Sequence, residues 1–334
     1  MSDRTAWKVL VTARAFWANG SAATELLASA GCEVVQSEKA GPVPVNELIP
    51  QLKDCDSVIA SSDPYTAEVF AACPRLKLVS RCGVGIDSVD LKAAGEAGVV
   101  LTNTPGAMTD AVADYTFGLL LSVARHIVEG DALMRSGGWG EFPGMSVHGK
   151  VIGLVGAGMI GQGVARRAAG FNMRVLAFDP VLQASPPPDL PAMEFVSLDE
   201  LLEGSDFVCV HAPNLPETRG MFNAARFAHM KRSAYLINTA RGALVNESDL
   251  IAALESGQIA GAAIDVFQHE PLPADDPLRQ APHCLLTPHN AFNTIESVVT
   301  MSRMSAENVI EAMQGRRPSG ICNPEIWNSP IRRK

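Results

Sequence analysis

The chain of 334 residues is notable first for what it does not contain. No unbroken apolar run approaches the roughly 20 residues that a membrane-crossing helix needs. The opening residues MSDRTAWKVLVTARAF lack the apolar core of a secretory leader, so the expectation is a cytoplasmic protein with no membrane partner. Basic charge is scarce: 27 Lys and Arg stand against 36 Asp and Glu, a formal net charge of -9, and only the final RRK clusters. Phosphate backbones are neutralised by basic patches, so no nucleic-acid partner is expected. The seven cysteines are odd in number, contain no C-x-x-C pair and sit in apolar runs such as FVCVHA and HCLLTPH. That pattern suits reduced, buried thiols, and neither disulfides nor a metal site is expected. With 47% hydrophobic residues the chain is long enough for a large core and for two domains.

What the sequence does contain is a repeated alternation of short apolar runs and helical stretches. Strands are expected at 8–13, 32–36, 57–61, 76–81 and 99–103, with helical patterns such as AATELLASA between them. One long helical segment follows from Thr109 to Ser136, with Thr109 or Asp110 at its start and the Gly137-Gly138 pair at its end. The alternation then restarts with KVIGLVG, RVLAFD, DFVCVHA, AYLINTA, AGAAIDV and CLLTPH. ASPPPDLP (184–191) reads as a surface loop, and the Phe117, Leu120, Leu121, Ala124 stripe as packing or dimer interface. A last helix, Thr294 to Gln314, is long enough to return to the first unit. Strand, helix, strand repeated in this way predicts an α/β fold: two Rossmann-like or flavodoxin-like parallel-sheet domains.

The stretch VIGLVGAGMIGQGVARRAAGFNMRVLAFDP carries the first functional signal. Gly156, Gly158 and Gly161 follow a strand and open a helix, and Asp179 ends the next strand. In that setting the first glycine makes the turn, the second admits a pyrophosphate to the backbone, and the third lets the helix pack closely. The helix start offers unpaired N–H groups to phosphate. Asp179 is placed to accept from the adenosine ribose hydroxyls and to repel a 2'-phosphate, and Pro180 rather than Arg follows it. The cofactor read from this pattern is NAD.

The chemistry must come from elsewhere. LINTARGALV places Arg241, IDVFQHEP places Glu270 and LLTPHNAF places His289 just past three strands, where open α/β sheets collect ligands. A planar arginine suits a substrate carboxylate, a histidine suits a hydroxyl proton, and an acid bonded to that histidine sets its orientation. These three are the candidate catalytic residues of a 2-hydroxy acid oxidoreductase.

Together with SRCGVGIDSVDL, TNTPGAMTDAVADYTFGLLL, LINTARGALVNESDL and AAIDVFQHEPL, these segments resemble the D-isomer-specific 2-hydroxyacid dehydrogenases, most nearly phosphoglycerate-dehydrogenase-like members, from about Lys8 to Gln314. The resemblance implies interconversion of a D-2-hydroxy acid and its 2-keto acid, 3-phosphoglycerate or a related small acid among them. It implies a substrate domain of residues 1–104 and 292–334 and an inserted NAD domain of 105–291, separated by a cleft. Arg241 becomes the carboxylate arginine, Glu270 the acid partner and His289 the general acid/base, while Val84 and Gly85 add backbone donors to the carboxylate. The cofactor set comprises Gly156, Gly158, Met159, Ile160, Gly161, Asp179, His211, Ala212, Thr218, Thr239, Ala240, Arg241, Asp265 and His289. The family also implies a homodimer through the NAD domain and the helix near 110–135, while the regulatory C-terminal domain of many longer phosphoglycerate dehydrogenases is not expected, since the chain ends soon after the last helix.

Arg14 and Arg81, each following a strand, join Ser61 in the substrate set, where the two arginines offer charge to a second anionic group. Asp114, Gln268, His269 and Asn290 depart from the family's usual residues. An NAD-sensing corepressor or scaffold on the same fold is the competing expectation.

Overall fold

The computed structural model describes residues 6–333. The chain divides into two compact units: one runs to Met108 and resumes at Asn293, the other spans Thr109–Phe292.

The first unit holds five parallel strands, β1 (Lys8–Val11), β2 (Glu33–Gln36), β3 (Ser57–Ala60), β4 (Leu78–Arg81) and β5 (Val100–Thr102), in the order β2-β1-β3-β4-β5. Strands covered on both faces read as continuous apolar runs rather than alternating ones, and β3 is buried along its whole length. β1, β3 and β5 stop one or two residues short of their apolar runs because the chain leaves the ladder for the loop at the carboxyl end, whereas β2 and β4 start late and end as expected; after β1, the Thr12 and Ala13 amides both turn to the Ile59 carbonyl. The helix Ile295–Met313 belongs to this unit, capped by Thr294 with Ser297 in a reciprocal box. Ser80 Oγ on β4 donates to its Ser305 carbonyl at 3.0 Å. The tail beyond it covers the β5 edge: Asn323 accepts from the Leu101 amide and donates to the Val99 carbonyl, both at 2.9 Å.

The second unit holds seven parallel strands, β6 (Val151–Val155), β7 (Arg174–Phe178), β8 (Glu194–Phe195), β9 (Phe207–Val210), β10 (Tyr235–Asn238), β11 (Gly261–Ile264) and β12 (Cys284–Leu286), in the order β12-β11-β10-β9-β6-β7-β8. The two-residue β8 is too short to leave a sequence pattern. Strand order reverses at β6, which makes the carboxyl ends of β6 and β9 the switch point where ligands bind in open sheets.

The long helical segment expected from Thr109 to Ser136 is two helices, Thr109–Arg125 and Ile127–Arg135, bent 64° apart. The break is His126, at φ 53°. Neither Gly nor Pro marks it, so helix propensity along the sequence gave no sign of it. Phe117, Leu120 and Ala124 of the first helix are buried in the core of this unit, with Phe117 stacked on Phe171 at 5.3 Å. The second helix buries none of its residues.

Candidate active site

Strand register builds the site. Val155, Val210, Asn238, Ile264 and Leu286 lie side by side as the last residues of β6, β9, β10, β11 and β12, with Phe178 of β7 beside Val155. The next residue of each strand therefore falls in one row: Thr287, Asp265, Thr239, His211, Gly156 and Asp179. Five of these six were candidates from sequence; Thr287 was not.

At the switch point, Gly156 has φ 95°, and a Cβ there would stand 2.7 Å from the Ala212 amide nitrogen and the His211 carbonyl carbon. A Cβ on Gly161 would run into the Gly156 carbonyl oxygen, so this glycine serves the turn itself as well as helix packing. Gly158 differs: its Cβ direction is open, and it caps the helix Met159–Gly170. The two closed glycines shape the turn and the open one leaves bare backbone at a helix start, which is the cradle a pyrophosphate requires. Asp179 ties this loop to the next helix, its Oδ2 accepting from the Ala157 amide at 2.9 Å and its Oδ1 from Val181 and Leu182 at 3.1 and 3.0 Å. Sequence reading missed that anchoring role.

Two buried polar atoms, His211 Nε2 beside the glycine turn and Asn214 Oδ1 in the loop after β9, have no partner among the described residues. Burial pushes His211 down to about 4, so its ring is neutral near pH 7. Unsatisfied buried groups are costly, and these two fit a polar ligand against the loop. Thr218 is turned inward: its hydroxyl donates to the Pro213 carbonyl at 2.6 Å and accepts from the Leu215 amide at 2.8 Å, shaping the loop that carries Asn214. Thr239 is buried with its hydroxyl 3.1 Å from that of Thr116.

Past β10, buried Asn238 shapes the turn that presents Arg241. Its Nδ2 donates to the Arg241 carbonyl at 2.9 Å and its Oδ1 accepts from the Ala240 amide at 3.0 Å. A polar residue closing the apolar run YLIN was the only sequence signal for it. Gly242 presses the Arg241 turn directly onto the backbone of Phe267 and Gln268, where any Cβ would overlap. That contact brings the Arg241 and Glu270 loops together.

Glu270 Oε2 lies 2.6 Å from His289 Nδ1, and its Oε1 accepts from the Phe267 amide at 3.0 Å. Burial works to raise the Glu270 carboxyl, but the bond and charge of His289, the Phe267 amide and the charge of Arg241 outweigh it. The carboxyl is held below its ordinary value, so it is ionised at neutral pH. His289 sits at φ 51°, a conformation that costs a non-glycine residue unless its surroundings enforce it. Asp265, fully buried, supplies the enforcement. Its carboxylate accepts from Thr287 Oγ1 at 2.6 Å and from the Asn290 and Ala291 amides at 2.9 Å each, and its carbonyl from the His289 amide at 2.7 Å. Desolvation raises the Asp265 carboxyl despite these bonds. Phe292 meets the His289 ring edge-on at 6.0 Å.

In the five-stranded unit, Gly83 at φ 152° leads into Val84 and Gly85, whose amides donate to no acceptor among the described residues. Arg81 is committed locally: Nη1 donates to the Cys82 carbonyl at 2.7 Å and, longer, to Ala60 at 3.4 Å, while Nη2 reaches Ser62 Oγ at 3.2 Å. The Ser61 amide bonds to Thr12 Oγ1 and Asp63 Oδ2, each at 3.1 Å. Arg14 is exposed at the start of a short helix.

A doubly wound parallel sheet, a glycine cradle at its switch point and a carboxylate-backed imidazole two loops away define a nicotinamide-dependent oxidoreductase. The comparisons narrow the class. The family model described as D-isomer specific 2-hydroxyacid dehydrogenase, NAD binding domain, matches residues 117–291. The glyoxylate reductase of Korarchaeum cryptofilum is 42% identical over 286 residues, covering 84% of this chain and 86% of that protein. The glyoxylate reductase of Thermofilum pendens is 42% identical over 303 residues, covering 88% and 89%. The crystal structure of the TT0316 protein from Thermus thermophilus superposes with a TM-score of 0.85 at 39% identity, over 94% of this chain and 99% of that one. The chain belongs to the D-isomer-specific 2-hydroxyacid dehydrogenase family. It is an NAD-dependent hydroxyacid oxidoreductase.

Proposed function

We propose that this enzyme reduces a short 2-oxo acid such as glyoxylate or hydroxypyruvate to the corresponding 2-hydroxy acid, of D configuration where the product carries a stereocentre. The observation that carries the reading is the Glu270–His289 pair at 2.6 Å, held beyond the strand ends by Asp265 in an NAD-binding unit. The bound nicotinamide cofactor supplies the hydride. Arg241 grips the substrate carboxylate with its planar fork, and in their own unit the Val84 and Gly85 amides are assigned to substrate binding. His289 donates its proton to the carbonyl oxygen during reduction and takes the hydroxyl proton during oxidation. Glu270 fixes the ring and favours its charged form. Asp265 acts by positioning His289, since both of its carboxylate oxygens are engaged by the 287–291 loop.

The cradle and the negative Asp179 favour NAD over its 2'-phosphorylated form. The unit of Val84 and Gly85 is assigned to the substrate, and a short substrate agrees with Arg81 being committed to neighbouring oxygens rather than to a distal phosphate. The names of the two glyoxylate reductases support the same choice. A homodimer is supported by the exposed apolar residues of the second helix of the bent pair and the segment after it: Ile127, Val128, Met134, Phe142 and Trp139, the last 87% exposed. Light scattering on the purified chain reads the subunit number. The test of function is NADH oxidation over glyoxylate, hydroxypyruvate, 3-phosphohydroxypyruvate and 2-oxoglutarate. Turnover highest with the two short neutral-tailed acids is expected; highest turnover with the phosphorylated acid refutes the substrate reading, and no turnover with any refutes the catalytic one.

A further inference from the structure

At the amino ends of the five-stranded sheet, the edge opposite Val84 and Gly85, lies a pocket of about 190 Å³. Trp7, just before β1, and Lys77, just before β4, form one side, and the chain's last turns bring Trp327, Arg332 and Arg333 to the other. Among the described residues that line it, three are cations, two are tryptophans and none is an acid, in a protein of net charge -9.

The charges are not equivalent. Arg333 spends its guanidinium on the carbonyls of Phe70, Cys73 and Leu76, at 2.8 to 3.1 Å, and so pins the tail in place. Lys77 Nζ lies 5.1 Å from the Trp7 ring centre and is partly balanced by Asp56 at 3.0 Å, a carboxylate that also serves Arg75. Arg332 has no carboxylate partner among the described residues, and its guanidinium lies 4.0 Å from the Trp327 ring centre. A guanidinium resting on an indole is oriented without being neutralised, and keeps its in-plane N–H donors for a carboxylate. The volume is somewhat larger than the ~150 Å³ apolar cavity that accommodates benzene.

We propose that this pocket is a binding site for a small planar aromatic carboxylate of about one ring. The ring packs against the tryptophans, and the carboxylate pairs with Arg332 and Lys77. No group assigned to catalysis takes part.

The test is calorimetric titration of the full chain, loaded with NADH, using benzoate as the probe and benzamide and cyclohexanecarboxylate as controls. Benzoate is expected to bind, with both controls at least tenfold weaker, since one removes the charge and the other the aromatic face. Arg332→Gln and, independently, Trp7→Leu are expected to weaken benzoate at least tenfold while leaving keto-acid turnover unchanged. No benzoate binding by the wild type, or equal binding by both variants, overturns the assignment; the latter places the benzoate elsewhere, as at Arg241. Benzamide binding as tightly as benzoate also overturns it.

Discussion

Replacing Glu270 by Gln removes one negative charge, and its single amide oxygen can still accept from Nδ1 of His289 at the cost of the bond from the Phe267 amide. Coupling between two titrating groups is reciprocal: if His289 helps to hold the Glu270 carboxyl low, the carboxylate favours the charged ring by the same interaction. A unit pair about 4 Å apart is worth about 1 kcal/mol in water and about 4 kcal/mol near a protein surface. The two side chains are 40% and 35% exposed, so solvent screening places this pair toward the lower end. The charge of the carboxylate is therefore worth on the order of 1 kcal/mol to a protonated ring. The sign is the same for both directions. Reduction needs the charged ring, so its alkaline limb moves to lower pH; oxidation needs the neutral ring, so its acid limb moves to lower pH as well. The assay is kcat/KM against pH in both directions for wild type and Glu270→Gln, with His289→Ala as a control that loses most activity throughout. Because the groups titrate together, the limbs belong to the pair. A Glu270→Gln profile that overlays the wild type or moves to higher pH refutes the assignment of Glu270.

The glycines of the cradle separate fold from binding. Gly156→Ala meets both a positive φ and backbone at 2.7 Å, and is expected to cost at least about 1–3 kcal/mol in a urea melt. Gly158→Ala, with open space around its Cβ, should melt like wild type and yet bind NADH more weakly; unchanged NADH affinity would remove Gly158 from the cofactor site. Arg241→Lys keeps the charge and loses the fork, so kcat/KM for the keto acid should fall while NADH affinity holds; equal losses of both would assign Arg241 to the cofactor or the fold instead. Asp179→Ala should admit NADPH but also lower stability by about 1 kcal/mol, since the carboxylate caps the helix from Pro180; an unchanged preference for NADH over NADPH in steady-state kinetics contradicts its role. Arg81→Ala should destabilise by about 1–3 kcal/mol in the same melt by freeing the Cys82 carbonyl it now satisfies, and should lower kcat/KM alike for short and phosphorylated acids. A loss confined to the phosphorylated acid would return Arg81 to substrate recognition.

By itself the sequence determined the class of fold, because buried parallel strands must be nearly all apolar and the helices between them must be amphipathic, and both patterns survive in one dimension. It also marked the cradle: the fingerprint glycines, the strand before them and the acid after them lie within 30 residues, so local spacing carries the meaning. Arg241, Glu270 and His289 stood out only as chemistry-bearing residues past three separate strands. Their assembly was decided by tertiary structure, through the register that aligns Asn238, Ile264 and Leu286 and through the backbone contact at Gly242. Tertiary structure alone also decided the support: Asp265 gathering the His289 loop, Asn238 shaping the Arg241 turn, and Arg81 donating to the Cys82 carbonyl at its own strand end. The bend at His126 belongs with these, since a single left-handed residue leaves helical periodicity intact on either side. Burial and hydrogen bonding between residues distant in the chain set those roles, and no local pattern of residue types encodes which partner each polar group will find.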